Sequence, residues 1–265
     1  MTDPELNYLA HLADDSERFA EVLTRLDPTT RVPTCPDWTA ADLVWHLGEV
    51  QWFWSRVVRH RPTHPRDITE PDPVRPGSYE ALLAFAEQSA MDLVGALDAA
   101  APTEAAWTWS REQTVGFTYR RQAHEALIHR LDAELTAGKR SPMDAALCSD
   151  GVDEAIRVMF GGAPADGEVS TDPAATVRFT ASDTGRQWFV TLGRVRGEHD
   201  GKPYDEATFI PAEEDCDEPA AAAVTASAED LDCWLWNRPS RHRVDHHGDH
   251  DVLARVAAIV HEGID

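Results

Sequence analysis

Basic residues are scarce. The chain has 24 Lys and Arg against 47 Asp and Glu in 265 residues, a formal net charge of −23. A field of that sign repels phosphate backbones and anionic bilayers, so nucleic-acid and membrane binding drop out of the expected functions and the acid reads as a strongly solvated surface. Cysteine is also sparse: Cys35, Cys148, Cys216 and Cys233 lie far apart, with no CxxC and no short spacing. That excludes a zinc knuckle or a disulfide framework and leaves four reduced thiols. No run approaches the ~18 apolar residues of a membrane-spanning helix. The opening segment MTDPELNYLAHLADD lacks the basic start and apolar core of a secretory leader, so a cytoplasmic protein is expected, as a monomer or weak homodimer.

What is present is enough for two ordinary domains: 42% hydrophobic and 27% charged residues over this length support buried cores without a partner. Apolar residues from Glu5 to Leu26 recur three or four apart, as one helical stripe requires. RVPTCPDW then breaks the pattern, and Thr39 or Asp37 can cap a second helix from about Ala40 to Arg59. RPTHPRDITEPDPVRPGS is a loop, since each proline removes a donor and clashes with the preceding turn. A third helix runs over Ser78 to Ala100, and a fourth from about Tyr119 to Ala137, closed by Gly138 at a left-handed C-cap. Four amphipathic helices make a bundle over residues 1–142. Over 143–265 the pattern is mixed: a helix near Ala145 to Phe160, alternating runs TVRFTA and WFVTLG that read as strands, a helix around Ala228 to Trp236, a short strand near Arg243 to His246 and a last helix from Asp251 to His261. The expected class is α+β, an up-down four-helix bundle followed by a smaller mixed domain. The alanine-rich AAAAV before the helix at Ala228 is the one low-complexity tract.

In HEALIHRLDAE, Glu125 and His129 are four apart, about 40° from each other around a helix, and share a face. His124 is five from His129, about 140° round, so the string differs from the HExxH of zinc proteases. A third ligand must come from another helix, and His46 lies inside LVWHLGEVQWFW, flanked by Leu43, Leu47 and Val50. Two His and one Glu form an open site for zinc or another divalent metal, with a position left for water or a thiol. Asp42, Glu49 or Asp132 can orient an imidazole from behind. On spacing alone, a core histidine satisfied by a hydrogen bond and a surface Glu–His pair compete with the metal. The HRVDHHGDHD string reads as a solvated strand and turn. Cys35 has no His or Lys placed by the sequence to depress its pKa, which argues against a nucleophile. Trp38, Trp45, Trp52 and Trp54 cluster around helix two, mostly as packing, with one or two free to wall a pocket beside the metal.

VPTCPDWTAADLVWHLGEV and HEALIHRLDAELTAG resemble the two metal motifs of the mycothiol-dependent maleylpyruvate isomerase family, a branch of the DinB-like metal-binding bundles, and VTASAEDLDCWLWNRP followed by GDHDVLARV resembles its C-terminal domain. The resemblance covers nearly the whole chain. Position by position it implies His46, Glu125 and His129 as zinc ligands and Arg238 of the LWNR motif as an activity-bearing arginine. It also implies mycothiol as the thiol cofactor. Two departures stand out: Asn237 precedes the arginine where glycine is usual, and the stretches from about Gly161 to Asp172 and EEDCDEP match no motif.

The implied chemistry is thiol activation at zinc, followed by attack of the thiolate on a small electrophile. Either the thiol adds and leaves, isomerising a double bond, or it stays on the product. Arg238 would grip a substrate carboxylate through a two-pronged hydrogen bond, with Arg121, one turn before Glu125, a weaker candidate for the same work. The alternative is a non-catalytic metal-binding or regulatory module on the same fold.

Overall fold

A computed structural model describes residues 6–161, 168–171, 174–199, 202–212 and 219–262, and the chain divides into two compact units, Met1–Pro142 and Met143–Asp265. Cys216 and most of the two unmatched stretches lie outside the described residues. Among those described, no helix is long and apolar enough to cross a membrane.

The first unit is a four-helix bundle: α1 (Tyr8–Leu23), α2 (Ala40–His60), α3 (Tyr79–Asp98) and α4 (Val115–Thr136). Each begins on a side chain that satisfies an otherwise orphaned backbone N–H: Asn7, Thr39, Ser78 and Thr114. At Thr39 the cap is reciprocal, with Asp42 Oδ2 accepting from the Thr39 backbone N–H at 2.9 Å and from its hydroxyl at 2.7 Å. α4 ends on Gly138 at φ 66°, whose N–H bonds Leu135 O while Lys139 N–H bonds Glu134 O. This double bond pattern is the Schellman stop that favours glycine.

α1 packs mainly on α4 and α3, and α2 mainly on α3 and α4. The α2–α3 approach is close because Gly48 has no side chain: a Cβ there would sit 3.1 Å from the Ala86 Cα and the Phe85 ring. Leu43, Val44 and Leu47 of α2 are fully buried against Phe19, Leu23 and Leu82, each contributing roughly 1.5–3 kcal/mol of apolar burial. The segment expected only to interrupt the helices is a short hairpin, β1 (Arg31–Val32) with β2 (Cys35–Thr39), which packs against α2 and α4. A single 3₁₀ turn, Pro65–Asp67, punctuates the proline-rich loop.

The second unit opens with α5 (Ala145–Glu154), which runs on as one π turn, Ala155–Met159. Its sheet holds β3 (Glu168–Ser170), β4 (Thr176–Ala181), β5 (Gln187–His199), β6 (Lys202–Pro211), β7 (Ala222–Ala226) and β8 (Asp245–Gly248). β6 lines one edge of β5 while β4 and β3 follow each other along the other; β4 pairs in parallel with β7, and β7 antiparallel with β8. The AAAAV tract is therefore an inner strand, with Ala222, Val224 and Ala226 buried. α6 (Ala228–Leu235) and α7 (His250–Glu262) complete the unit.

Candidate metal centre

Because α2 lies against α4, His46 meets Glu125 and His129. Glu125 Oε1 is 3.4 Å from His46 Nε2 and 3.2 Å from His129 Nε2, and the three donor atoms lie within 4.8 Å of one another. Zinc bonds of about 2.0–2.1 Å at a tetrahedral angle separate neighbouring ligand atoms by about 3.3 Å. Two of the three edges match that value, and two imidazoles with one carboxylate are a donor set that suits a borderline-soft divalent ion. The residues fit the metal that the motifs imply.

Every other polar atom of Glu125 and His129 is committed. Glu125 Oε2 accepts from Arg121 Nη2 at 3.0 Å, so Arg121 serves the carboxylate and leaves one oxygen facing the histidines. His129 Nδ1 lies 3.0 Å from Asp132 Oδ2, and Asp132 Oδ1 accepts from the Thr34 hydroxyl at 2.6 Å. Asp132 is the carboxylate behind the imidazole; Asp42 instead caps α2 and pairs with Arg75, and Glu49 is exposed. Thr34, at the tip of the β1–β2 hairpin, carried no sequence signal.

The same hairpin supplies Trp38. Its ring centroid is 4.7 Å from that of His46 and 6.3 Å from that of His129, and the two imidazoles meet nearly edge-on at 4.8 Å. Of the four tryptophans around α2, Trp38 is the one that walls the site, while Trp45 stacks on Phe85 of α3 at 5.3 Å. Side-chain exposure falls from 34% at His46 through 18% at Glu125 to 9% at His129, so the cluster opens on the His46 side.

Burial alone would raise the Glu125 carboxyl, but His129, His46 and Arg121 together hold it well below the usual carboxylate range. Burial works to lower the His129 imidazole, and Asp132 with Glu125 overcomes it, holding that group up at about 9 in the metal-free protein. His124 points elsewhere: it is 1% exposed, with its ring edge-on to Tyr8 of α1 at 6.3 Å. The 140° separation on the helix thus keeps it out of the cluster. Cys35 of β2 is half-buried and in no disulfide among the described residues, and the histidines of β8, His246 and His247, are exposed.

Arg238 belongs to the second unit. It follows α6, whose end is a second Schellman stop: Asn237 at φ 55° bonds Trp234 O through its N–H, and Arg238 N–H bonds Cys233 O. Asparagine is the residue that best replaces glycine in this left-handed position, which accounts for the sequence departure. The Asn237 amide also donates to Val260 O of α7 at 2.6 Å, and Arg238 Nη1 donates to Trp236 O at 2.7 Å.

Comparison with known proteins agrees with this architecture. Residues 9–134 match the model of the mycothiol maleylpyruvate isomerase N-terminal domain, and residues 146–255 that of the C-terminal domain of the same family. Two crystal structures of mycothiol-dependent maleylpyruvate isomerase, one of them a histidine-to-alanine mutant, superpose with TM-scores of 0.58 and 0.59. Their sequence identities are 14% and 13%, and the match covers 90% of this chain and 91% of theirs. At such identity the superposition establishes a shared fold. Among curated proteins no sequence gives a significant match. The two domain models, in order and together spanning most of the chain, place it in the mycothiol maleylpyruvate isomerase family.

Proposed function

We propose that this chain is an enzyme that holds a divalent cation, zinc foremost, through His46, Glu125 and His129, and activates a low-molecular-weight thiol, mycothiol, against a small electrophile. The reaction is a cis–trans isomerisation like that of the maleylpyruvate isomerases it resembles, with transfer of the thiol to the product as the related outcome. The observation that carries the reading is the meeting of three donor atoms from α2 and α4, two of their three separations at tetrahedral spacing, in a cluster open on one side.

A divalent cation bound there would supply a Lewis acid that favours the thiolate over the thiol. The protein's own contribution is orientation. Asp132 accepts from His129 Nδ1 and so fixes the tautomer that presents Nε2. Arg121 ties down one oxygen of Glu125 and leaves the other to the site. The Trp38 ring lies against both imidazoles, closest to His46 at 4.7 Å, and gives the site an apolar flank. Arg238 is assigned to a substrate carboxylate, which a guanidinium grips through two hydrogen bonds.

The test is metal analysis of protein purified without chelators, alongside an assay of thiol-dependent electrophile turnover. Wild type is expected to carry one equivalent of divalent metal. His46→Ala is expected to lose both metal and turnover while keeping its helical circular dichroism, since His46 is the most exposed of the three. Turnover in metal-free protein, or full metal retention by His46→Ala, would refute the reading.

A further inference from the structure

A pocket of about 280 Å³ is lined in part by Glu49, Trp52, Phe53, Trp54 and Asp72, none of which belongs to the triad. Glu49 and Phe53 follow His46 on α2 by three and seven residues and share its face, so the pocket begins about one turn from His46 and reaches about two, roughly 5 to 10 Å along the axis.

Its aromatic wall is fixed in place. Phe53 meets Trp54 edge-on at 5.3 Å, and Trp107 backs both, stacked on Trp54 at 6.1 Å and edge-on to Phe53 at 6.2 Å. The Trp52 ring already carries a cation, the Arg56 guanidinium, at 4.8 Å. That guanidinium is engaged by Glu70 Oε2 and Ser55 Oγ, each at 2.8 Å. Glu49 and Asp72 are exposed, and neither makes an ion pair or hydrogen bond with any described residue. The pocket therefore offers aromatic surface, chiefly that of Phe53 since Trp54 is 6% exposed, and acceptor-only carboxylates.

We propose that this pocket binds a small organic cation, an arylammonium or alkylammonium whose charge is held by Glu49 and Asp72 and whose apolar body lies against Phe53, with Trp54 beneath it. The chain's net charge of −23 raises the local concentration of such ligands and repels anions. A carboxylate-bearing group, which Arg238 suits, is disfavoured here, so the two sites differ in chemistry. The inference stands on the pocket alone and does not depend on metal or thiol.

The experiment is a calorimetric titration, with tryptophan fluorescence as a second signal, of the full chain with phenethylammonium, its neutral analogue 2-phenylethanol and the anion 3-phenylpropionate. The ammonium is expected to bind saturably and about tenfold tighter than the alcohol, and the anion not to bind. The Glu49→Gln/Asp72→Asn double variant is expected to lose that preference with its melting temperature unchanged. His46→Ala is expected to keep it, which separates this site from the metal centre. Equal binding of alcohol and ammonium, an unchanged double variant, or no saturable binding of the ammonium would overturn the proposal.

Discussion

Thr34 reaches the metal centre only through Asp132, and that indirectness makes its replacement informative. Thr34→Val keeps the branched shape of the side chain and removes one hydroxyl, the one that donates to Asp132 Oδ1 at 2.6 Å. Asp132 is fully buried and orients His129 from 3.0 Å through its other oxygen. Losing such an outer partner of a ligating histidine weakens metal binding by about 10- to 100-fold. Asp132 itself stays in place, so the low end applies: about tenfold, or about 1.4 kcal/mol. Competition against a chromogenic zinc chelator measures this directly and needs no substrate. The global cost is expected to be about 1.5 kcal/mol, that of one hydrogen bond to a charged group, so the variant stays folded. Thr34→Ser restores the hydroxyl and should recover wild-type affinity. A Thr34→Val protein that binds zinc as tightly as wild type, or a serine variant as weak as valine, would show that the hairpin hydroxyl does not act through Asp132.

Two further outcomes follow from the caps. The Thr39 hydroxyl, joined by the Thr39 N–H and Arg75 and opposed by desolvation, holds the Asp42 carboxyl below its ordinary 3.8, at about 2. Asp42 thus stabilises the folded chain above the unfolded pKa and loses that contribution as pH falls through the folded one. Asp42→Asn should cost roughly 1 kcal/mol at pH 6 after allowing for solvent screening, with the gap to wild type closing between about pH 4 and pH 2 in urea melts; a gap that persists at pH 2 would refute the assignment. At the end of α6, Asn237→Ala puts a Cβ into the left-handed region and removes the bond to Val260 O, at a cost of about 1–3 kcal/mol. Asn237→Gly keeps the backbone geometry and should cost less by thermal denaturation; the reverse order would contradict the Schellman stop.

The helices were legible where one face is apolar and a cap marks the start, as at Thr39 and α2. α4 begins at Val115, four residues before the expected Tyr119, with Thr114 as its cap, and it buries polar side chains with the apolar ones: Arg120, Arg121, Gln122 and His124 are all under 5% exposed. A helix buried on nearly all sides shows no amphipathic contrast. The β1–β2 hairpin escaped notice because a two-residue strand and two prolines leave no alternation to read. β7 escaped because alanine has low strand propensity; its conformation is set by pairing with β4 on one side and β8 on the other. β3 and β6 were missed as well, since β6 presents mostly exposed residues until Phe209.

Within the centre, helical spacing joins Glu125 to His129, whereas His46 comes from a separate helix, where its apolar flanks Leu43, Leu47 and Val50 mark it as inward-facing and the motif resemblance ties it to the pair. No spacing rule reaches across the bundle to Thr34 or Trp38, because both are delivered by the hairpin that packs on α2 and α4. The hydrogen bonds then divide the three candidate donors unequally. His129 is tied through Asp132 to Thr34, and Glu125 is tied to Arg121, so each has its second polar atom occupied. His46 has no such tether among the described residues and is held by ring contact with Trp38 and His129, with a third of its side chain in solvent. The least anchored of the three donors is also the most accessible one. If a metal is held there as proposed, the His46 side is the one through which a thiol would approach it, with Glu125 and His129 as the more firmly held half of the cluster.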